Sequence, residues 1–433
     1  MSGPFTRGQP AALAAIRPMI EGRSPHAVLL AGPPSVGKTT LALDLAAGLL
    51  CLAQVAADRP CRTCRGCRLV SSGNHPDLHR LAPEGPGDQV RIDAIRALVA
   101  ELALLPVEGG ARVAVVERAH RMNEDAQNAL LRTLEEPPGG VVIVLCADDE
   151  DRLLPTIRSR CARLRLGTVG ARQIEAWLAE RGVVDPPAAA RVARLAGGRP
   201  GLALAYALAP DGVAARAEMD RSLLDLLALR PYRRLAAVKA LLGRARDLSD
   251  AIARAGAPTV EPPDREAARL ASRLSSRRAS IPSSRRSSAA TPEALPEATP
   301  GPTTGRGAIP DTAPDADVQP SGGTAPEPAG DVAEPAGRAS PIERRRAAAQ
   351  LVDVWRELAI DLERVRLGDD GRLHDPGLLE EMRSAADRAP DGSLARFIAR
   401  LARIGEAIDG NASPELAVDV LALAWPRIEP AGP

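Results

Sequence analysis

The sequence predicts an α/β domain built on a parallel sheet, followed along the chain by all-α regions. In residues 1–166, short apolar runs alternate with stretches of helical periodicity, the pattern of parallel strands covered by helices. From residue 167 onwards, helical periodicity replaces that alternation. Aromatic residues make up 2% of a chain that is 45% hydrophobic, so Leu, Val, Ile and Ala must build the cores. Ala and Leu favour helices.

The predicted strands are the four apolar runs of the first region: AVLLA (27–31), VAVVE (113–117), VVIVLCA (141–147) and ARLRL (162–166). A helix is expected from Lys38 and another through LLRTLEE. We take residues 1–166 as the α/β domain. Residues 167–206 predict short helices in a small lid domain, where Gly182 ends a helix over QIEAWLAERG.

The C-terminal half predicts one helical domain that is interrupted by an insert. Helical periodicity continues through residues 207–257 and resumes over 342–433. Residues 258–341 are rich in Pro, Ala, Ser, Thr and Gly and hold too few large apolar residues to bury a core, so we expect a disordered insert. Its Arg pairs could contact nucleic acid, although a solvated linker is the preferred interpretation.

Charge and hydropathy exclude several classes of protein. The net charge of +1 gives no bulk attraction to nucleic acid, so any such contact must be local. No apolar run reaches the length of about 18 residues that a membrane helix needs, and MSGPFTRGQP lacks a signal-peptide pattern. We therefore expect a soluble cytoplasmic protein without membrane contact. In the cytoplasm, cysteines more often bind metal than form disulfides.

The stretch GPPSVGKTT matches the phosphate-binding loop, because it follows a predicted strand and begins a helix. Its glycines free backbone N–H groups for phosphates, Lys38 reaches the terminal phosphates, and Thr39 can bind Mg²⁺. The alternative is a chance Gly-rich turn, which the flanking strand and helix disfavour. ATP or ADP with Mg²⁺ is thus a candidate cofactor. The candidate nucleotide-binding residues are Gly32, Pro33, Pro34, Ser35, Val36, Gly37, Lys38, Thr39, Thr40 and Glu117.

Four cysteines with the spacing C-x9-C-x2-C-x2-C predict a structural zinc module at residues 51–67. The candidate ligands are Cys51, Cys61, Cys64 and Cys67. Four thiolates make a closed tetrahedral site with no open position for catalysis. A redox dithiol or unlinked thiols are the alternatives, and the close spacing of four cysteines favours zinc.

The loop, the cysteine cluster, AQNALLRTLEEPP (126–138) and LLPTIRSRC (153–161) occur in the order found in bacterial sliding-clamp loaders. The chain resembles this AAA+ family over residues 1–206. VWRELAIDL and NASPELAVDVLAL resemble its collar domain, whereas the insert has no counterpart there. The resemblance implies an AAA+ P-loop domain, a helical lid and an all-α collar.

Clamp loaders combine ATP-hydrolysing motor subunits (gamma/tau) with a delta-prime subunit that acts as a stator. Motors carry Asp-Glu after the second strand motif, where this chain has Glu117-Arg118. The lid Arg that senses the γ-phosphate falls on Gly201, and Arg199 lies two residues away and is not equivalent. The Thr or Asn after the third strand is replaced within residues 147–149. Arg160 is present, so the pattern is that of the stator.

The resemblance implies a stator that helps to load the sliding clamp onto primed DNA and binds nucleotide without hydrolysing it. Arg160 would act as an arginine finger on a neighbour's ATP. Without a carboxylate at position 118 nothing activates the attacking water, although Glu117 could still reach Mg²⁺ through water. The implied partners are gamma/tau and delta subunits in a hetero-oligomeric ring and, through the complex, the clamp and primer-template DNA.

Three alternatives remain open from the sequence. Glu117 could rescue the missing acid, which would make the chain an ATP-hydrolysing motor subunit. A nucleotide-dependent DNA-binding or recombination ATPase would share the loop but would leave the cysteine cluster and Ser-Arg-Cys unexplained. By residue type alone, Arg160 is a surface Arg in an ion pair.

Overall fold

The first part of the computed structural model is a parallel sheet covered by helices. The structure describes residues 3–84, 88–108, 110–256, 340–410 and 412–428. Within them, the sheet has five parallel strands in the order β2-β3-β4-β1-β5. The strands are β1 (Ala27–Ala31), β2 (Leu78–Leu81), β3 (Arg112–Val116), β4 (Val141–Ala147) and β5 (Ala162–Arg165).

The helices of the first part follow the predicted order. They are α1 (Pro10–Pro18), α2 (Lys38–Leu49), α3 (Arg65–Ser72), α4 (Ile92–Leu102), α5 (Glu124–Glu135) and α6 (Pro155–Arg158). Short helices then continue the chain: α7 (Ala171–Arg181), α8 (Pro186–Leu195) and α9 (Pro200–Leu208). Gly182 adopts φ +61° at the end of α7, which confirms the expected stop.

Two cores pack on opposite faces of the sheet because successive strand residues point to opposite sides. Val28 and Leu30 belong to the core that contains α1 and α2. Ala27 and Leu29 belong to the core that contains α4 and α5. Both faces of β1 are therefore buried, which explains its continuous apolar run. The α/β fold predicted from the sequence is confirmed.

Long helices build the C-terminal part. They are α10 (Pro210–Ala228), α11 (Pro231–Gly256), α12 (Pro341–Arg366), α13 (Leu379–Ala386), α14 (Ser393–Asp409) and α15 (Pro414–Ala424). Ser340 caps α12, because its hydroxyl accepts from the Glu343 N–H while the Glu343 carboxylate accepts from the Ser340 N–H. No helix in the described ranges is long and apolar enough to cross a membrane.

The lid helices and the C-terminal helices share one hydrophobic core, which runs from Val169 to Ile428. At its centre Trp355, Phe397 and Trp425 pack with ring centroids 4.5 to 5.6 Å apart. Tilted and edge-on aromatic pairs of this kind contribute beyond their buried area. The insert predicted at residues 258–341 lies outside the described residues except for Ser340 and Pro341.

Candidate nucleotide site and metal centre

The phosphate-binding loop connects the carboxyl end of β1 to the amino end of α2. Gly32 has φ +151°, and a Cβ there would lie 2.2 Å from the Leu166 carbonyl oxygen. Gly37 is the N-cap of α2 with φ +104° and has no side chain to cap the helix. Both positions therefore require glycine. The positive end of the α2 dipole and its first N–H groups form a site suited to an anion.

A pocket of about 330 Å³ opens over this helix end. It brings together the loop, the ends of β3 and β4, and the start of α9. Its lining residues are Pro34, Ser35, Gly37, Lys38, Thr39, Thr40, Glu117, Arg118, Cys146, Asp148 and Gly201. Of the remaining predicted residues, Gly32 and Pro33 contribute carbonyl groups to Lys38, and Val36 is buried in the core beneath.

Lys38 is almost completely buried and is held by three oxygen atoms. Its ammonium group donates to the carbonyls of Gly32 and Pro33 at 2.7 and 2.6 Å. It also lies 2.6 Å from Asp148 Oδ1. Sequence reasoning did not include Asp148 in the site. The sequence did contain an indication of this role. Asp148 comes directly after β4, at the carboxyl ends of the strands, where ligands bind in such folds.

The two residues after β3 are both neutralised by partners. Glu117 Oε1 accepts from Arg80 Nη2 at 2.6 Å. Arg118 has φ +47°, and its guanidinium donates to both carboxylate oxygens of Asp88 at 2.6 and 3.0 Å. A guanidinium is already protonated and cannot accept a proton from water, so position 118 supplies no general base.

The lid contacts the phosphate-binding loop through a backbone hydrogen bond, not through a cationic side chain. The Gly201 N–H donates to the Ser35 carbonyl at 2.9 Å, and a Cβ on Gly201 would lie 3.1 Å from that oxygen. Arg199 points away, because its guanidinium pairs with Glu357 of α12. The interpretation of Arg199 as not equivalent to the sensing Arg thus agrees with its position.

Glu357 is the centre of a buried ionic network between the lid and the C-terminal helices. It also accepts from Arg216 at 2.7 Å, and Arg216 lies 3.0 Å from Asp220. Burial opposes ionisation of Glu357, yet the charges of Arg216 and Arg199 lower its pKa. Burial raises the pKa of Asp220 to about 6, against the attraction of Arg216. The Arg199 side chain therefore contributes to the packing of the lid against α12.

Arg160 follows α6 on the surface and lies outside the pocket lining. Its Nη2 is 2.6 Å from Glu135 Oε1, and its Nη1 donates to the Thr156 carbonyl at 2.9 Å. The side chain is 34% exposed. The guanidinium is thus accessible to another molecule and held in a defined orientation.

The four predicted zinc ligands converge. Their sulfur atoms all lie within 4.8 Å of one another, with Cys51 3.6 Å from Cys61 and 3.9 Å from Cys64. Four sulfurs at about 2.3 Å from a tetrahedral zinc are about 3.8 Å apart, so the cluster fits Zn²⁺. Backbone N–H groups donate to the sulfurs, and those of Cys64 and Thr63 lower the pKa of Cys61 to about 6. Burial raises the pKa of Cys67.

Asp44 attaches the cysteine loop to the domain. This carboxylate of α2 is buried and accepts from the N–H groups of Phe5 and Thr6 and from the Thr6 hydroxyl, at 2.6 to 2.9 Å. It also pairs with Arg62 of the cysteine loop, whose guanidinium stacks over the Phe5 ring. Sequence reasoning missed both residues, because nothing in the local pattern marks a contact 18 positions away.

These features define the class: an α/β domain with a phosphate-binding loop, followed by short helices that contact this loop. Residues 8–169 match the family described as DNA polymerase III, delta subunit. The resemblance to delta-prime clamp-loader subunits inferred from the sequence is therefore confirmed for this part of the chain.

The chain is similar to curated DNA polymerase III delta-prime subunits. It is 42% identical to that of Pseudomonas aeruginosa over 40% of this chain and 53% of the relative. It is 38% identical to that of Escherichia coli over 42% of this chain and 55% of the relative. The chain thus spans about half the length of these relatives. A tau/gamma subunit of Haemophilus influenzae is 33% identical over 41% of this chain and 26% of the relative.

Proposed function

We propose that the protein is a delta-prime-like stator of a bacterial DNA polymerase III clamp loader, which binds nucleotide without appreciable hydrolysis. Arg118 carries this proposal. It occupies the position of the catalytic carboxylate and is paired with Asp88. The lid supplies Gly201 where a motor supplies Arg, and Arg199 is engaged by Glu357. Both positions that would assist hydrolysis thus lack the required charge.

The loop nevertheless keeps the groups that bind phosphate. Gly32 and Gly37 retain the backbone conformation of the cradle, and Lys38 and Thr39 line the pocket. Binding and hydrolysis depend on different groups, so one can be retained without the other. Glu117 lines the same pocket and would reach Mg²⁺ through water.

The proposal extends to partners. Delta-prime and tau/gamma relatives imply gamma/tau and delta subunits as neighbours in a hetero-oligomeric ring, with the sliding clamp and primer-template DNA bound by the whole assembly. Arg160, exposed and outside this chain's own pocket, would contribute its guanidinium to a neighbour's γ-phosphate. The helical regions would form the lid (167–206) and the two collar segments (207–257 and 342–433). In the cytoplasmic complex they would hold the domain that carries Arg160 in place.

A structural Zn²⁺ held by Cys51, Cys61, Cys64 and Cys67 completes the proposal. The fit of the sulfur cluster to a tetrahedral ion supports it. The ion would stabilise the cysteine loop and take no part in chemistry, since four thiolates leave no open position.

Nucleotide binding and phosphate release by the purified chain test the central claim. Calorimetry should detect binding of ADP or MgATP, and Lys38→Ala should abolish it. Phosphate release should stay far below an ordinary enzymatic rate, on the order of 1 per second, with and without partner subunits. Turnover at that rate that disappears in Lys38→Ala would reject the stator in favour of the second candidate.

That second candidate is an ATP-hydrolysing gamma/tau-like motor subunit. The tau/gamma similarity and the retained acid Glu117 favour it. It requires Glu117 to leave Arg80 and take over the role of the missing carboxylate. Glu117→Gln would then abolish turnover, whereas a stator has no turnover to lose.

A further inference from the structure

The carboxylate of Asp148 is fixed beside the phosphate-binding loop by the sheet. Ala147 lies opposite Ala31 in the β1–β4 register, and its carbonyl accepts from the Gly32 N–H at 3.2 Å. The Asp148 N–H donates to His120 Nδ1 at 3.1 Å. The backbone of Asp148 is thus held on both sides, and its carboxylate lies 2.6 Å from the Lys38 ammonium.

Lys38 is the cation that a P-loop offers to the terminal phosphates of a nucleotide. Among the described residues that line the pocket, Arg118 is the other cationic side chain, and Asp88 neutralises it. In this arrangement a bound nucleotide would share Lys38 with Asp148. His120 Nε2 also faces Asp148, at 3.7 Å from Oδ2.

The number of phosphate groups in the nucleotide decides how unfavourable this sharing of Lys38 is. A diphosphate ends at the β-phosphate, which the loop N–H groups and the α2 dipole can stabilise. A triphosphate adds a γ-phosphate carrying close to two negative charges near Asp148, without an additional cation from the protein. Two negative groups at a few ångströms in a partly desolvated pocket repel strongly.

We propose that Asp148 makes this site selective for nucleoside diphosphates over triphosphates. The inference rests on the proposed function, because it presupposes that the loop binds nucleotide. Asp148 is then the residue that determines specificity, because its carboxylate lies beside Lys38 where the γ-phosphate would otherwise lie. A stator with this site would keep a diphosphate bound while its neighbours bind and hydrolyse triphosphate.

Titration calorimetry of the full-length chain with ADP and with ATP, each with and without Mg²⁺, tests the proposal. We expect ADP to bind at least about tenfold more tightly than ATP. Asp148→Asn keeps the size of the side chain and removes its charge, so it should tighten ATP binding and remove most of the difference. Asp148→Ser is the second variant, in case the amide forms a new hydrogen bond to Lys38.

Asp149→Asn is the matched control. Asp149 is the neighbouring, exposed carboxylate, and its Oδ1 accepts from the Asp151 N–H, a bond that an amide oxygen can also accept. The ADP preference should persist in this variant.

The possible results distinguish a failure of this inference from a failure of the proposed nucleotide binding. Equal affinities in the parent chain, or an ADP preference that both Asp148 variants retain, would overturn the inference while leaving nucleotide binding intact. A Mg²⁺-dependent ATP preference that Asp148→Asn weakens would also overturn it, and would identify Asp148 as a metal ligand. If the parent and both variants bind neither nucleotide at about 1 mM, nucleotide binding itself is rejected.

Discussion

At the scale of single residues, the nucleotide pocket is defined by charges that are already paired. Lys38 pairs with Asp148, Glu117 with Arg80 and Arg118 with Asp88. A hydrolytic site needs a carboxylate free to activate water, and both carboxylates among the described residues that line the pocket, Glu117 and Asp148, are engaged by cations. The pairing favours a pocket that holds a ligand over one that turns it over.

Arg160 is also paired, with Glu135, but it lies at the surface outside the pocket. We expect Arg160→Ala to lower clamp- and DNA-stimulated ATPase of the assembled complex, because loss of an arginine finger costs about 10³-fold or more in kcat at the site it serves. The loss in the whole complex should be partial, since the neighbouring subunits have several sites. Arg160→Lys should not restore activity, because an ammonium lacks the planar fork.

Folding, zinc content and assembly should survive the change. The Arg160–Glu135 pair is partly exposed on both sides, and pairs of that kind contribute at most about 1 kcal/mol. Arg158→Ala is the matched control, since Arg158 lies two residues earlier and pairs with Asp151. A mutant complex that hydrolyses ATP and loads clamps like the parent would reduce Arg160 to an ion-pair residue.

The sequence identified the loop, Glu117, Arg118 and Arg160 because each belongs to a local motif. It placed an altered residue within 147–149 but did not find the pairing of Asp148 with Lys38. That contact joins the end of β4 to the start of α2, and it depends on which strands become neighbours. Pairs such as Arg118–Asp88 and Arg199–Glu357 were out of reach for the same reason.

At the scale of elements, continuous apolar runs predicted β1, β3 and β4, because both faces of these strands are buried. Strand β5 was predicted from the shorter run ARLRL, although it lies at an edge of the sheet and is only half buried. Strand β2 (LHRL) escaped prediction. It lies at the edge of the sheet, where it pairs with β3 alone, and its side chains are only partly buried. His79 and Arg80 interrupt the apolar run on which the prediction of the inner strands depended.

We expect the stability of the cysteine cluster to depend on a bound metal ion. Metal analysis should find one zinc per chain in the parent, and Cys64→Ser should lose it and melt at a lower temperature, because metal binding and folding are coupled. Cys161→Ser is the control, since Cys161 lies outside the cluster. A zinc-free preparation with unchanged melting and four titratable thiols in this loop would contradict the assignment.

Asp44 should matter to the same loop independently of the metal. Removing its carboxylate in Asp44→Ala leaves Arg62, which is 6% exposed, without a counter-charge, and such losses cost about 3–5 kcal/mol. We expect a correspondingly lower denaturant midpoint. Asp58→Ala, at an exposed acid of the same loop, should have little effect.

A double-mutant cycle isolates the pair. Arg62→Ala in the Asp44→Ala background should cost less than Arg62→Ala alone, because the charge it removes is already unpaired. Additive losses would show that Asp44 acts only through the N–H groups of the N-terminal segment.

At the scale of the whole molecule, the helices of the predicted lid (167–206) pack against the C-terminal helices. One core runs through both, and Glu357 ties Arg199 of the lid to Arg216 of α10. These helices are thereby fixed to the C-terminal helices, as the proposed stator role would require. Whether residues 167–206 behave as a domain of their own stays a prediction.

The helices that flank the insert pack against each other, which sets the requirement for replacing it. Arg246 of α11 pairs with Glu343 at the start of α12, at 3.2 Å. Helix α11 continues ten residues beyond Arg246, so its end lies on the order of 15 Å further along. A Gly/Ser linker of about 12 residues has an average span of about 19 Å and can close this distance.

Replacing residues 258–339 by such a linker should therefore leave the fold, the zinc content and complex assembly intact. Shortening the loop from about 80 to about 12 residues should stabilise the chain by on the order of 1–2 kcal/mol, because closure entropy grows with the logarithm of loop length. Thermal melting and co-purification with partner subunits measure the two effects. Deletion of residues 258–339 without a linker is the control: it leaves Ala257 alone between Gly256 and Ser340, a reach of at most about 7 Å, and should lower the melting temperature. If the 12-residue variant fails to assemble while melting like the parent, the insert itself makes contacts within the complex.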